Sequence, residues 1–254
     1  MAGLDHIRVV LVATTQPGNI GSAARAMKTM GLRRLHLVAP RLFPHAEATA
    51  LAAGATDVLE SAIVHPALEP AVADCSLLIG ASARRRGVAL PELAPREAAT
   101  QLLAAARAGR QVALLFGTER TGLSNDELQR CHACVRIPAD ADYSSLNLAQ
   151  AVQVLAYELR LAALDAGAVT DAGGEQPRGP RERPATSAEL EGFFRHLDEA
   201  LHAIDFHKGK DGTTIMRRLR RLFLRARPSE REVAILHGIL AEAERMARLA
   251  AGRR

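Results

Sequence analysis

The chain has 254 residues, of which 48% are hydrophobic, enough to bury one large core or a medium and a small one, and too apolar for global disorder. No apolar run reaches the ~20 residues of a bilayer-spanning helix, and Met1 to Arg8 has no basic region followed by an apolar stretch, so no secretory leader is expected and the expected compartment is the cytoplasm. The net charge of +5 is unevenly placed: between Asp205 and Arg231 nine Lys/Arg face three Asp/Glu, a local +6, which suits a polyanionic partner, the alternative being a solvated helix face.

The first part of the chain alternates strand and helix signals. Ile7 to Ala13 is a short apolar, β-rich run. Asn19 to Met30 reads as a helix stopped by Gly31, where left-handed geometry is wanted. Leu35 to Ala39 is the next strand, ended by Pro40, and a helix follows around His45 to Ala53. Ser76 to Ala81 reads as a strand, and Pro95 to Ala108 as a helix with proline in its first turn and Gly109 past its end. Val112 to Phe116 is a fully apolar strand. Ser124 to Glu127 is a capping box that starts a helix. Val135 to Ile137 is a short strand and Leu146 to Ala163 a long helix. Continuous apolar strands separated by helices predict an α/β domain: five or six strands in a parallel sheet with helices on both faces. Ligands in such sheets sit beyond the carboxyl ends of the strands. That singles out three loops: Thr14 to Gly18, Gly117 to Leu123, and Pro138 to Ser145.

From Asp165 to Pro184 glycine, proline and charge occur without periodicity, the composition of a linker. Thr186 to Glu189 is a second capping box, opening a helix to about Ile204. Helices over Thr214 to Arg225 and Ser229 to Leu249 follow, the last preceded by Pro228 and started by a third box, Ser229 to Glu232. The expected organisation is therefore a domain over 1–165, a linker over 166–185 and a small all-α module over 186–254. The three cysteines are Cys75, Cys131 and Cys134. The last two form C-x-x-C, but no second such pair accompanies them, so reduced thiols and no metal are expected.

The loops have unusual compositions for connections. Gln16 to Arg25 leaves a strand through small residues that allow close approach to the backbone, without the G-x-G-x-x-G dinucleotide fingerprint. Arg25 either caps a neighbouring carbonyl or serves a site at the sheet edge. In the second loop Gly117 and Gly122 flank Glu119 and Arg120, with no Gly-Lys-Ser/Thr to make a P-loop. The third offers Ser144, Ser145 and Asn147 at a helix start, where plain N-capping by a serine is one reading.

In this order and spacing the three loops resemble those of the SPOUT superfamily of methyltransferases. Asn19, Gly21 and Arg25 match its N-x-G-x-x-x-R motif, Gly117, Glu119, Gly122 and Leu123 match G-x-E-x-x-G-L, and Ser145, Leu146 and Asn147 match S-L-N. This covers about residues 6 to 162. The stretch Met216 to Pro228, with Glu232 and Ile235 to Leu240, is similar to the TrmJ branch in particular. The resemblance implies a C-terminal trefoil knot in the α/β domain around residues 112 to 160, against the general rule that chains do not knot. It also implies an S-adenosylmethionine-dependent 2′-O-methyltransferase acting on nucleotide 32 of the tRNA anticodon loop, with another tRNA position or ribosomal RNA as the alternative substrate.

By the same resemblance Arg25 is the catalytic residue, with Asn19, Glu119, Ser145 and Asn147 around it. The cofactor would lie against backbone groups of Leu115, Gly117, Leu123, Ile137, Ser145 and Leu146, with Ser82, Glu119 and Gly122 also in its site. The site would be completed across a homodimer, with Arg25 reaching the pocket of the other subunit. RNA would be held by Arg25 and by Arg217, Arg218, Arg220, Arg221 and Arg225. These arginines fall too densely for a single stripe, so they should decorate more than half of their helix while Leu219, Leu222 and Phe223 pack inward. Neither metal nor membrane is implied.

Overall fold

A computed structural model describes residues 3–83, 90–140, 142–169, 182–209 and 211–251. The chain divides into two units, Met1–Pro177 and Arg178–Arg254. The first opens with β1 (Ile7–Val12), α1 (Pro17–Thr29), β2 (Arg34–Val38) and α2 (Ala46–Ala52). Two short helices, α3 (Thr56–Glu60) and α4 (Leu68–Val72), enclose β3 (Ile63–His65). After β4 (Leu77–Ala81) come β5 (Glu92–Leu93), α5 (Pro95–Arg107), β6 (Val112–Phe116), α6 (Asn125–Gln129), β7 (Ala133–Val135) and α7 (Leu148–Val169).

The strands form one seven-stranded sheet in the order β3-β2-β1-β6-β4-β7-β5, with every neighbouring pair parallel. The expected parallel sheet is therefore present, with more strands than foreseen. The additions are β3 and β5 at its two edges. β3 leaves Ile63 and Val64 about half exposed, and β5 is two residues long; neither carries a run long enough to show a period.

The six residues of β1 are all buried, and they alternate between two layers as the pleat requires. Ile7, Val9 and Leu11 face the core shared with α1, α5 and α7. Val10 and Val12 face the smaller core closed by Leu68, Ala71 and Val72 of α4 and Leu128 of α6. Arg8, the charged residue of β1, is also buried; its two terminal nitrogens donate to Asp74 at 2.7 and 2.8 Å and to the Ala71 carbonyl at 2.7 Å, while its Nε has no partner among the described residues. Burial on both faces is what turns these strands into continuous apolar runs in the sequence.

The glycines at the start of α1 serve helix packing. A methyl group at Gly21 would lie 2.0 Å from the Ala48 carbonyl oxygen of α2, and one at Gly18 would meet Glu47 and Leu51. The small residues that suggested close approach of a ligand are spent on the contact between α1 and α2.

The second unit consists of α8 (Ser187–Ala203), α9 (Thr213–Ala226) and α10 (Glu230–Ala251). They close over a core of Leu190, Phe193, Phe194, Leu197, Leu224 and Val233, with Phe193 edge-on to Phe223 at 4.7 Å between ring centroids. The expected capping boxes at Thr186 and Ser229 are both formed. The span expected to be a linker begins inside α7, which runs on to Val169, and residues 170–181 of it lie outside the described residues. Its last residues pack into the second unit: Pro184 bridges to Ser229, Ala185 is buried, and Arg183 pairs with Glu189 and Glu230.

Candidate active site

β1, β6, β4 and β7 are consecutive in the sheet, so the loops leaving their carboxyl ends converge on one edge. The polypeptide after β6 is folded back on itself. The Gly122 N–H donates to the Thr118 carbonyl at 2.8 Å, and Gly122 has a φ of +66°, in the left-handed region that glycine tolerates. At Gly117 an added methyl group would lie 2.0 Å from the Gly122 carbonyl carbon and from the Leu123 nitrogen. Only a residue without a side chain allows the two limbs of this loop to touch.

The fold-back presents Glu119 to the first loop as a clamp. Its carboxylate accepts from the Thr15 N–H at 3.1 and 3.2 Å, the Thr15 hydroxyl at 2.9 Å, the Gln16 N–H at 3.0 Å and the Asn19 amide at 3.0 Å. Partial burial would raise the Glu119 pKa, but the hydrogen bonds from Asn19, Gln16 and Thr15 outweigh it and hold the group at about 2. Glu119 is therefore a fixed anion at neutral pH. Thr15 and Gln16 were not singled out in the sequence; their donors are mostly main-chain, and a backbone N–H leaves no mark in residue type.

The third loop joins the same network. Asn147 donates from Nδ2 to Asn19 Oδ1 at 2.9 Å, while its own Oδ1 accepts from the Ala149 N–H at 2.8 Å at the start of α7. The capping residue of α7 is thus Asn147 rather than Ser144 or Ser145. A relay Asn147 to Asn19 to Glu119 ties three distant segments together. One N–H and one lone pair of the Asn19 amide are used in it, so Asn19 holds the loops in position.

Beside this relay lies a cleft of about 760 Å³, open to solvent. Ser82, Gly117, Glu119, Gly122, Ile137, Ser145 and Leu146 of the expected cofactor set all line it. Leu115 and Leu123 do not: each is fully buried, on the other side of the sheet, in the core under α4 and α6. Phe116, Thr118, Arg120, Thr121, Val135 and Ser144 complete much of the wall; they flank the motifs and were not in the expected cofactor set. Strand β7 ends at Val135, two residues before its expected end, and this frees Ile137 to face the cleft. The wall combines apolar side chains, serine and threonine hydroxyls, a held carboxylate and the Arg120 guanidinium, a composition suited to a polar, charged group with an apolar body.

Arg25 is not part of this wall. It is exposed on α1 and makes no side-chain hydrogen bond or ion pair among the described residues. Six residues past Asn19, it sits about 9 Å further along the helix and about 120° around it.

In the second unit α9 divides its arginines by role. Arg220 forms a two-pronged ion pair with Glu191, with one contact at 2.9 Å, and its guanidinium lies 4.3 Å from the centre of the Phe194 ring. It belongs to the module's own packing, contrary to the expectation that it binds RNA. Leu222 is 47% exposed, also contrary to expectation, and Leu224 takes the inward place. Without Arg220, the residues Arg217, Arg218, Arg221 and Arg225 fall within an arc of about 100°, so they do form one stripe.

The cysteines carry no chemistry at this site. All three are free, and burial pushes the Cys131 thiol far above its ordinary range and the Cys75 thiol to about 12. No helix among the described residues is long and apolar enough to cross a membrane.

Comparison with known proteins identifies the architecture in two steps. Residues 6–157 match the SpoU rRNA Methylase family, so the first unit has the fold and site of a methyltransferase that uses S-adenosylmethionine. Residues 188–252 match the C-terminal domain of the tRNA methyltransferase TrmJ. The tRNA (cytidine/uridine-2′-O-)-methyltransferase TrmJ of Escherichia coli (strain K12) is 49% identical over 241 residues, 95% of this chain and 96% of that protein. The crystal structure of TrmJ from Z. mobilis ZM4 is 35% identical with a TM-score of 0.78, covering 93% of this chain and 98% of that one. A probable methylase family protein from Haemophilus influenzae Rd KW20 is 40% identical with a TM-score of 0.63, covering 97% and 99%. The chain belongs to the SpoU methylase family and, within it, to the TrmJ methyltransferases.

Proposed function

We propose that the chain methylates the ribose 2′-hydroxyl of cytidine or uridine at nucleotide 32 of the tRNA anticodon loop. The single observation that carries the reading is the Glu119–Asn19–Asn147 relay, which gathers all three family motifs around one cleft. Residues 1–165 form the methyltransferase domain of this reading and 186–254 the tRNA-binding module, joined by 166–185. A trefoil knot over 112–160, a homodimer and a cytoplasmic location belong to the same reading and are supported by membership of the family.

When bound, S-adenosylmethionine supplies an already activated methyl group, so the protein need not activate the electrophile and no metal is called for. Its positive charge is matched by the held anion of Glu119. Gly117, Gly122, Ser82, Ile137, Ser145 and Leu146 form the cofactor's walls, and the hydroxyls of Ser144 and Ser145 are free to reach its polar end or the target nucleotide. The 2′-hydroxyl is a very weak acid, and its proton must leave as its oxygen takes the methyl group. A guanidinium stays protonated at neutral pH, so Arg25 does not remove that proton. It holds the ribose or its phosphate and stabilises the developing negative charge on the oxygen, and the proton passes to water or to an RNA phosphate. An unpaired cation on the outer face of α1 is well placed to serve a pocket on a second subunit.

The test is mass mapping of ribose methylation on tRNA from cells lacking the protein. Loss of the methyl group at nucleotide 32 is expected, with return on complementation. An unchanged nucleotide 32 would end this reading, and a loss elsewhere in tRNA or in ribosomal RNA would establish the alternative substrate.

The arginine stripe gives a separate expectation. Changing Arg217, Arg218, Arg221 or Arg225 to alanine should each flatten the dependence of log tRNA affinity on log salt by about 1, the signature of a lost phosphate contact. Arg220→Ala should leave that slope alone and lower the unfolding temperature of the second unit, because its partners are Glu191 and Phe194. Equal slopes for all five variants and the parent, read by fluorescence anisotropy, would remove the stripe from the tRNA surface.

A further inference from the structure

Near the carboxyl end of α8 three potential ligands meet that neither the methyl-transfer site nor the arginine stripe uses. Potential ligand atoms of Asp198, His202 and His207 all lie within 4.8 Å of one another. Asp198 and His202 are one turn apart on α8, so their side chains share a face. His207 comes from the turn that follows. The set reads D-x₃-H-x₄-H, with a carboxylate in place of a cysteine, and so matches none of the usual zinc spacings.

His207 shows that the cluster is more than a chance grouping of surface charges. It is 6% exposed, and neither ring nitrogen has a hydrogen-bond partner among the described residues. A buried imidazole with both nitrogens unsatisfied forgoes at least one hydrogen bond that water would supply. The ring is held in that position by its surroundings: a methyl group at Gly212 would lie 2.6 Å from its Cε1 and 2.7 Å from its Nε2. His202 adds a second sign. Its Nδ1 lies 2.8 Å from the Asp198 carbonyl oxygen, which can only accept, and 3.6 Å from Asp198 Oδ1, so Nδ1 donates and Nε2 is the nitrogen left to ligate. An imidazole pinned by a carbonyl through one nitrogen is the usual state of a metal-ligating histidine. Asp198 is half-buried and His202 exposed, so an ion has a path from solvent.

We propose that Asp198, His202 and His207 form a divalent transition-metal site, with zinc as its ion. Two imidazoles and one carboxylate suit a borderline cation and exclude the oxygen-only preferences of calcium and magnesium. Three protein ligands leave a fourth, tetrahedral position for water. The ion would fasten the turn at 204–209 to the last turn of α8. In a three-helix unit of this size, a single staple of that kind adds stability that the small core cannot supply alone.

The test uses the full-length, untagged, metal-stripped protein titrated with Zn²⁺ by calorimetry, followed by thermal unfolding with and without the ion. One Zn²⁺ per chain and a higher unfolding temperature for the second unit are expected. His202→Ala, which removes an exposed side chain, should abolish both, and Asp198→Asn should weaken binding about tenfold or more. Gly212→Ala should also abolish it by displacing the His207 ring while leaving all three ligands in the sequence. Substitution with Co²⁺ should give a spectrum without a thiolate charge-transfer band. Absence of stoichiometric zinc binding, its survival in His202→Ala, or a thiolate band pointing to Cys131 and Cys134 would each overturn the assignment.

Discussion

Glu119→Ala is expected to lower turnover by about 10²–10³-fold, a loss of the size seen when a preorganised charge is removed from an active site, and to weaken S-adenosylmethionine binding as well. The carboxylate gathers four donors from Thr15, Gln16 and Asn19. Hydrogen bonds to a charged acceptor contribute roughly 1.5–3 kcal/mol each when buried. Glu119 is only partly buried, so solvent screening reduces the sum to about 2–4 kcal/mol. With the acceptor gone, the first loop loses its tie to the second, and Asn147 loses a partner that is held in place. Glu119→Gln should rescue little, because an amide keeps the shape but turns one acceptor into a donor facing donors. The pH dependence follows from the depressed pKa. Relative to an unfolded value near 4.5, a folded value of about 2 means that the clamp is at full strength above about pH 4.5 and fades as pH falls through about 2. Cofactor affinity should therefore show no titration from this group across neutral pH. Calorimetry and steady-state rates decide the matter, and an alanine variant that keeps near-normal turnover and affinity would show that the clamp is incidental.

Arg25→Ala should cost about 10³-fold in kcat while leaving the affinity for S-adenosylmethionine within a few-fold of the parent, since Arg25 lines no part of the cleft formed by its own chain. Its exposure and lack of partners make the loss specific to substrate, and folding should be unaffected. The arrangement across subunits can be read by mixing two inactive proteins, Arg25→Ala and Glu119→Ala. If Arg25 serves the pocket of the partner, a mixed dimer holds one intact composite site, and random exchange should restore about a quarter of full activity. If Arg25 serves its own chain, every site in the mixture remains broken and nothing returns. A Glu119 variant is suitable here because α1 stays packed on α2 and α7, which hold Arg25 in place independently of the clamp.

Elements legible in the sequence were those whose signal is local. β1, β6, α1 and α5 followed from apolar runs, a first-turn proline and a terminal glycine, and the capping boxes at Ser124, Thr186 and Ser229 set helix starts to within a residue. The elements missed were α3, β3, α4 and β5, all five residues or fewer. Pro70 inside α4 hid that helix further, although proline is tolerated in a first turn. On α9, residue spacing showed five arginines but not that Glu191 and Phe194, on another helix, would claim Arg220.

The sequence by itself determined the parallel α/β class, the helical C-terminal unit and the three loops that gather at one end of the sheet, because periodicity, caps and turn residues act over a few positions. Only the tertiary structure decided what each polar group in those loops does. Asn19, Glu119 and Asn147 were visible as a motif, yet their donor and acceptor pairing depends on atoms 100 and 128 residues apart in the chain. The placing of Leu115 beneath the sheet depends on strand register, in which a step of one residue turns a side chain to the opposite face, and that of Ile137 beside the cleft on where β7 ends.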